Sequence, residues 1–232
     1  MSASRFLVIA TPIGNLEDIT LRALRELKLA DIILCEDTRV TKKLLSHYQI
    51  LDKPLMRFDE HAKDFEFRKV GELLEEGKNL ALVTDAGTPA ISDPGVRLLS
   101  FLRERFTTEE CSIEAIPGAS ALTASLSISG FPTEEFVFLG FPPHKKGRET
   151  FFKNLLKETR TVVFYESPHR LIKALEALRK VLPEERRMAV ARELTKMHEE
   201  FIQGTGAEVE TFFLSQPDNV RGECVGIISR TQ

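Results

Sequence analysis

Cysteine is scarce in this chain, and its placement argues against a disulfide framework. Cys35, Cys111 and Cys224 are odd in number and far apart, and each lies in or beside an apolar run. They read as three buried thiols in a reducing compartment. Histidine is sparse too: the five residues include neither an HExxH pair nor a Cys/His cluster, so no structural or catalytic metal is expected. Long apolar runs are missing. The first, Phe6 to Ala10, stops at Thr11-Pro12, too short for a signal peptide or a membrane span, and the chain is expected in the cytoplasm. An excess of positive charge is also lacking. With a formal net charge of -3, a polyanionic partner has to be met by a local patch rather than by a general basic coat.

Standard cofactor signatures fail in turn. No GxGxxG follows the first strand candidate; ATPIGN, with Gly14 alone, stands in its place, so a dinucleotide fingerprint is absent. Gly71 to Lys78 imitates a phosphate loop but has one residue too many, lacks Ser or Thr after Lys78, and sits inside a helical pattern. Asp85 begins a DAGT resembling the aspartyl phosphatase motif, yet Gly87 replaces the second carboxylate that such chemistry requires.

What is present is an alternation of apolar runs and helical patterns. At 232 residues with 42% hydrophobic side chains, the chain can bury one large core or two smaller ones. Strands are expected at Phe6 to Ala10, Ile32 to Cys35, Leu55 to Phe58, Leu80 to Thr84 and near Ile113. Helices are expected from Thr20, over Thr38 to Tyr48, Phe65 to Glu76 and Gly95 to Arg105. This βα alternation implies a mainly parallel sheet with crossover helices. From Ile116-Pro117-Gly118 a second unit begins, with helices over Ala119 to Ser129, Glu149 to Lys157, Arg170 to Val181 and near Ala207 to Leu214. Its strands are Phe136 to Leu139, Thr161 to Tyr165, MAVAREL, EEFIQG and ECVGIIS, the last three without long intervening helices. That points to a mixed, partly antiparallel sheet. Two α/β domains are therefore expected, residues 1–116 and 117–232.

Leu80 to Val96 reads LALVTDAGTPAISDPGV, a buried-strand run that breaks into a loop of Asp, Ala, Gly, Thr, Pro and Ser. In an open α/β sheet, the loop leaving the C-terminal end of a strand is where ligands sit. Gly87 and Gly95 permit close backbone approach, Pro89 and Pro94 stiffen the path, and Asp85 and Asp93 offer acceptors. Asp93 and Pro94 alone read equally well as a helix start. That does not account for the second set, Asp85 to Pro89. Five such loops end strand candidates: Thr11 to Glu17, Glu36 to Arg39, Asp85 to Gly95, Pro117 to Ser120 and Glu166 to Arg170.

Together, ATPIGNLEDITLRAL, CEDTR, VTDAGTPAISDPG, IPGAS, FYESPHRL and ARELTKMHEEFIQG resemble, in order and spacing, the tetrapyrrole methylase superfamily. They are most similar to its branch acting on the 2′-hydroxyl of a cytidine in 16S rRNA. The resemblance implies two α/β domains with S-adenosylmethionine in the interdomain cleft, and a homodimer working on the small ribosomal subunit near its decoding centre. It gives the first domain the RNA side and part of the cofactor site, and the second domain cofactor binding and dimerisation. Carried onto this chain, the cofactor residues it implies are Pro12 and Gly14 in the first loop, then Asp85, Ala86, Gly87, Thr88 and Pro89, with Ile91 and Ser92 beyond. Ala119 and Ser120 follow the Pro-Gly turn, Tyr165 and Glu166 end a second-domain strand, and Leu194 and Thr195 complete the set. One segment departs: where HxHN is expected, the chain reads Asp59-Glu60-His61-Ala62.

A ribose hydroxyl is a poor nucleophile until it gives up its proton, so a base or a stabilising field is expected nearby. The candidates are Glu36, Asp37, His61, Glu166 and His169, the last equally readable as a first-turn helix residue. Arg39 and Arg170 suit bidentate phosphate binding, with pairing to Asp37 or Glu166 as the alternative. Between His144 and Arg160 the chain concentrates Lys145, Lys146, Arg148, Lys153, Lys157 and Arg160 against Glu149 and Glu158. Of these, Lys145, Lys146 and Arg148 are expected in an exposed loop as an RNA phosphate surface. Two other readings compete: a methyltransferase for a tetrapyrrole precursor, and a non-catalytic RNA- or nucleotide-binding subunit, which would show damaged cofactor loops.

Overall fold

The computed structural model describes residues 3–155, 157–215 and 221–231. It falls into two compact units, Met1–Ser120 and Ala121–Gln232.

In the first unit, β1 (Ser4–Ile9), β2 (Ile32–Cys35), β3 (Leu55–Arg57), β4 (Leu80–Leu82) and β5 (Cys111–Ile116) form one sheet in the order β3-β2-β4-β1-β5. Every neighbouring pair is parallel. Strand alternation sends side chains to two cores. Leu7, Ile9, Ile33, Cys35 and Ala81 pack with Ala23 and Leu27 of α1 (Leu21–Leu29) and Leu45 of α2 (Thr38–His47). Phe6, Leu34, Leu80 and Leu82 pack with Phe67, Val70 and Leu74 of α3 (Asp64–Glu75) and Leu98 and Leu102 of α4 (Gly95–Arg105). A sheet buried on both faces explains why these strands read as continuous apolar runs. The helix starts follow capping chemistry: the Thr20 side chain accepts from Ala23 N at 3.0 Å, and Asp37 Oδ1 accepts from Arg39 N at 2.8 Å.

The second unit opens with α5 (Ala121–Ser129). Its sheet holds β6 (Phe136–Phe138), β7 (Thr161–Glu166), β8 (Met188–Arg192), β9 (Glu200–Gly204) and β10 (Cys224–Ile228) in the order β6-β7-β10-β8-β9. Only the β6–β7 pair is parallel, so the sheet is mixed. α6 (Arg148–Leu155), α7 (Pro168–Val181) and α8 (Gly206–Ser215) cover one face through Phe152, Leu171, Leu175, Val209 and Phe213. The expected continuation of α6 through residue 156 lies outside the described residues. Cys35, Cys111 and Cys224 are free and buried. Among the described residues no helix is long and apolar enough to cross a membrane.

Candidate active site

Parallel pairing puts the ends of all five first-unit strands at one edge. Connections from β1 and β2 run one way along the sheet, and those from β3 and β4 run the other. The exits of β2 and β4 therefore diverge, leaving a crevice between neighbouring strands, the usual ligand position in such a sheet. The exits are stitched together by hydrogen bonds. Thr11 N donates to Gly87 O at 2.9 Å and Gly87 N to Thr11 O at 3.1 Å. Thr11 Oγ1 donates to Thr84 O at 3.0 Å, and Thr88 Oγ1 to Ala119 O at 3.2 Å. These bonds join the loops after β1, β4 and β5, bringing Asp85 to Pro89 together with Ala119. Pro12 and Pro89 are buried beneath them, while Gly14, Ala86, Ile91 and Ser92 are exposed.

The crevice is acidic. Thr84 Oγ1 donates to Glu36 Oε1, Asp85 N reaches the same oxygen at 3.4 Å, and Asp37 N donates to Asp85 Oδ1 at 3.2 Å. Desolvation, reinforced by the nearby Asp93 charge, raises the Glu36 carboxyl above its ordinary value, and desolvation likewise raises Asp85. Asp37 goes the other way, because the Arg39 guanidinium holds it well below the carboxylate range. Asp93 is taken up by the backbone: its Oδ1 accepts from Ala90 N at 3.1 Å and Gly95 N at 2.7 Å. The helix-start reading of Asp93 and Pro94 therefore describes their structural work. Among the described residues, no three His, Cys, Asp or Glu side chains are grouped to hold a metal ion.

In the second unit, the register sets Glu166, Cys224, Arg192 and Glu200 in one row across the end of the sheet. Tyr165 and Glu166 end β7 there, and Leu194 and Thr195 follow β8. Glu166 is 1% exposed, with Arg148 Nη2 on Oε2 at 2.6 Å and Arg170 Nε and Ser167 N on Oε1 at 2.8 and 2.9 Å. Both of its oxygens are engaged, so a role as proton acceptor is corrected to a holding role. The guanidiniums of Arg148 and Arg170 are both bonded to this buried carboxylate: for Arg170 that is the alternative pairing read from the sequence, and for Arg148 it replaces the expected open position. Arg148 also begins α6 rather than lying in an open loop. Burial pushes the Cys224 thiol up to about 12, which leaves it unreactive.

The remaining candidates are on the surface. His61 and His169 are exposed, His61 on a turn where its backbone N–H donates to Asp59 Oδ1 at 2.9 Å and His169 in the first turn of α7. Lys145 and Lys146 are exposed, and Arg39 is exposed but engaged with Asp37. Reading the sequence missed Thr11 and Thr84, whose hydroxyls tie the crevice together. Their only signal is a hydroxyl residue closing an apolar strand.

Four non-glycine residues in the expected cofactor loops have positive φ: Ala90, Ser92, Glu193 and Thr195, between 52° and 65°. Such backbone is costly and collects where it serves a ligand. Gly87, at φ 86°, is packed so closely that an added Cβ would lie 3.3 Å from Ile13 Cγ2. Small residues, bared backbone and strain in the same segments fit a ligand held largely by main-chain groups.

Residues 5–210 match the model of the tetrapyrrole (corrin/porphyrin) methylases. The chain belongs to the tetrapyrrole methylase family. A relative from Thermotoga maritima, named ribosomal RNA small subunit methyltransferase I, is 44% identical over 90% of this chain and 91% of its own length. The Bacillus subtilis protein of the same name is 44% identical over 93% and 72%. Among solved structures, a cobalt-precorrin-4 methyltransferase superposes with TM-score 0.70 at 17% identity, covering 97% of this chain and 94% of that one. A Thermus thermophilus uroporphyrin-III C-methyltransferase gives 0.65 at 18%, with the same coverage. At those identities the structures establish the tetrapyrrole methylase fold, and the sequence relatives establish the family.

Proposed function

We propose that the protein methylates the 2′-hydroxyl of a cytidine in 16S rRNA of the small ribosomal subunit, with S-adenosylmethionine as methyl donor. Relatives named as rRNA methyltransferases at 40–47% identity over most of the chain support an rRNA methyltransferase. The cytidine and its 2′-oxygen rest on the motif resemblance. The observation that carries the reading is the joined Thr11, Gly87, Thr88 and Ala119 loops, intact and bonded, beside a crevice whose carboxylate has raised proton affinity.

The cofactor, when bound, supplies a methyl already activated on a sulfonium. What this chain's residues contribute is position and proton handling. Backbone groups of Asp85 to Ser92 and of Ala119-Ser120 are assigned to holding the cofactor. The hydroxyl must then be held about 3 to 3.5 Å from its target carbon. Among the carboxylates, Glu36 combines position at the crevice with raised proton affinity, and we assign it to accept the ribose proton. Asp37, held ionised by Arg39, is the weaker base and caps α2.

Labelled methyl transfer to naked 16S rRNA, isolated 30S particles and tetrapyrrole precursors, run in parallel, tests the proposal. Incorporation into RNA that maps to a cytidine ribose is expected. Label only in the tetrapyrroles would overturn it in favour of small-molecule methylation, and no transfer with retained RNA binding would favour a non-catalytic subunit.

A further inference from the structure

The segment between β6 and α6 is short, basic and anchored at both ends. At its start, Leu139 N donates to Val163 O and Tyr165 N to Gly140 O, each at 2.9 Å. At its end, Arg148 reaches back to Pro143 O at 3.3 Å while bonded to the buried Glu166, and its guanidinium lies 5.1 Å from the Phe152 ring centroid. In the middle, His144 lies against the Arg170 guanidinium, and Pro142 is buried. The Arg148–Glu166–Arg170 group thus fixes the loop rather than binding a partner itself. The anchored loop presents Phe141, 52% exposed, with Lys145 and Lys146 exposed beyond it. Phe141 is set at 5.4 Å, centroid to centroid, against Tyr165, which in turn packs edge-on to Phe138 at 4.9 Å. A half-exposed ring packed on Tyr165, itself packed on Phe138, and followed by two exposed lysines matches what holds an unpaired nucleic-acid strand: a stacking surface beside phosphate-directed charge.

We infer that residues 140–147 form a platform for an unpaired stretch of RNA, on which Phe141 stacks against a base while Lys145 and Lys146 contact the adjoining phosphates. This rests on the RNA-methyltransferase reading above. The apolar ring and the charges make different contributions, and that difference makes the inference testable. Loss of a stacked base lowers affinity without releasing fewer counterions, whereas loss of a phosphate contact flattens the salt dependence.

Single-stranded and duplex RNA oligonucleotides of the same sequence should be titrated with the unsubstituted chain and with Phe141→Ala, Phe141→Leu, Phe141→Trp and the double variant Lys145→Ala/Lys146→Ala. S-adenosylhomocysteine affinity and solution mass should be measured alongside. Phe141→Ala and Phe141→Leu are expected to bind single-stranded RNA about 5- to 150-fold more weakly with the salt slope unchanged. Phe141→Trp should restore binding, and the double lysine variant should lower the slope. Wild-type affinity in Phe141→Leu would overturn the inference, because apolar bulk would then suffice. So would a Phe141→Ala defect that coincides with a fall in solution mass, since the ring would then serve contact with a second copy of the chain. Methylation of 30S particles by the wild-type protein separates the two levels. If it occurs while Phe141→Leu binds normally, the platform alone falls; if no RNA is methylated, the parent reading falls with it.

Discussion

Thr11 and Gly87 face each other across the exits of β1 and β4 and exchange two backbone hydrogen bonds, at 2.9 and 3.1 Å. The exchange fixes the Asp85 to Pro89 loop against the first loop, and it requires Gly87 to hold φ at 86°. A β-branched residue at that φ is strained by about 1 to 2 kcal/mol or more, and its Cβ would press on Ile13 at 3.3 Å.

Gly87→Val is therefore expected to lose cofactor binding while destabilising the first unit only moderately. Calorimetric titration with S-adenosylhomocysteine on the folded variant checks this. Wild-type affinity would refute the placement of the cofactor on this loop.

Arg148 and its neighbours Lys145 and Lys146 should separate cleanly. Arg148→Ala leaves Glu166, 1% exposed, with one arginine instead of two; breaking a buried pair costs about 3 to 5 kcal/mol, and the remaining Arg170 contact places the expected loss near or below the lower end of that range. The double lysine variant should melt like wild type, yet flatten the salt dependence of RNA binding by about 0.7 to 0.9 in slope per lost phosphate contact. Thermal melts and salt titrations of both variants decide the matter. A stable Arg148→Ala with a flattened slope would return Arg148 to the RNA surface.

A homodimer is what the motif resemblance implies, and we predict it for this chain. Light scattering at assay concentrations should give twice the mass of the chain, and a fully active monomer would remove dimerisation from the account.

Periodicity carried most of the fold, for a physical reason: a sheet covered on both faces leaves contiguous apolar runs, and α1 to α4 show their buried stripes directly. The edges were less legible. The helix expected from Ala119 begins at Ala121, the Ala119 carbonyl being bonded to the Thr88 hydroxyl. α7 begins at Pro168 rather than Arg170, although Ser167-Pro168 carried the helix-start signal. The loops that the resemblance assigns to the cofactor stood out because their glycines, prolines and alanines cluster at strand ends in one recurring order. The Arg148–Glu166 pair could not be read in the same way. It joins positions 18 residues apart through the packing of α6 and α7 on β7, which no local pattern encodes. For the same reason Arg192 and Glu200, paired at 2.6 Å, were invisible until the β8–β9 register placed them opposite each other.

Glu36→Gln tests the proton acceptor and the linkage of its charge to stability together. Desolvation and the nearby Asp93 raise the Glu36 carboxyl in the folded protein above its unfolded value, so the native state binds more protons there than the unfolded chain does. Stability must then decline as pH rises from the ordinary glutamate pKa, about 4.3, through the raised native value, and the decrement is complete above it. Glutamine keeps an oxygen to accept from Thr84 and from Asp85 N–H but carries no charge, so its melting temperature relative to wild type should be higher near pH 8 than near pH 4. Methyl transfer should move oppositely, with kcat falling about 10²- to 10⁴-fold and cofactor affinity unchanged. Melts across that pH range, paired with single-turnover rates, provide the check. A variant that keeps its rate while gaining stability would show that Glu36 only shapes the crevice, and would pass the role to Asp85, whose carboxyl is raised by the same desolvation.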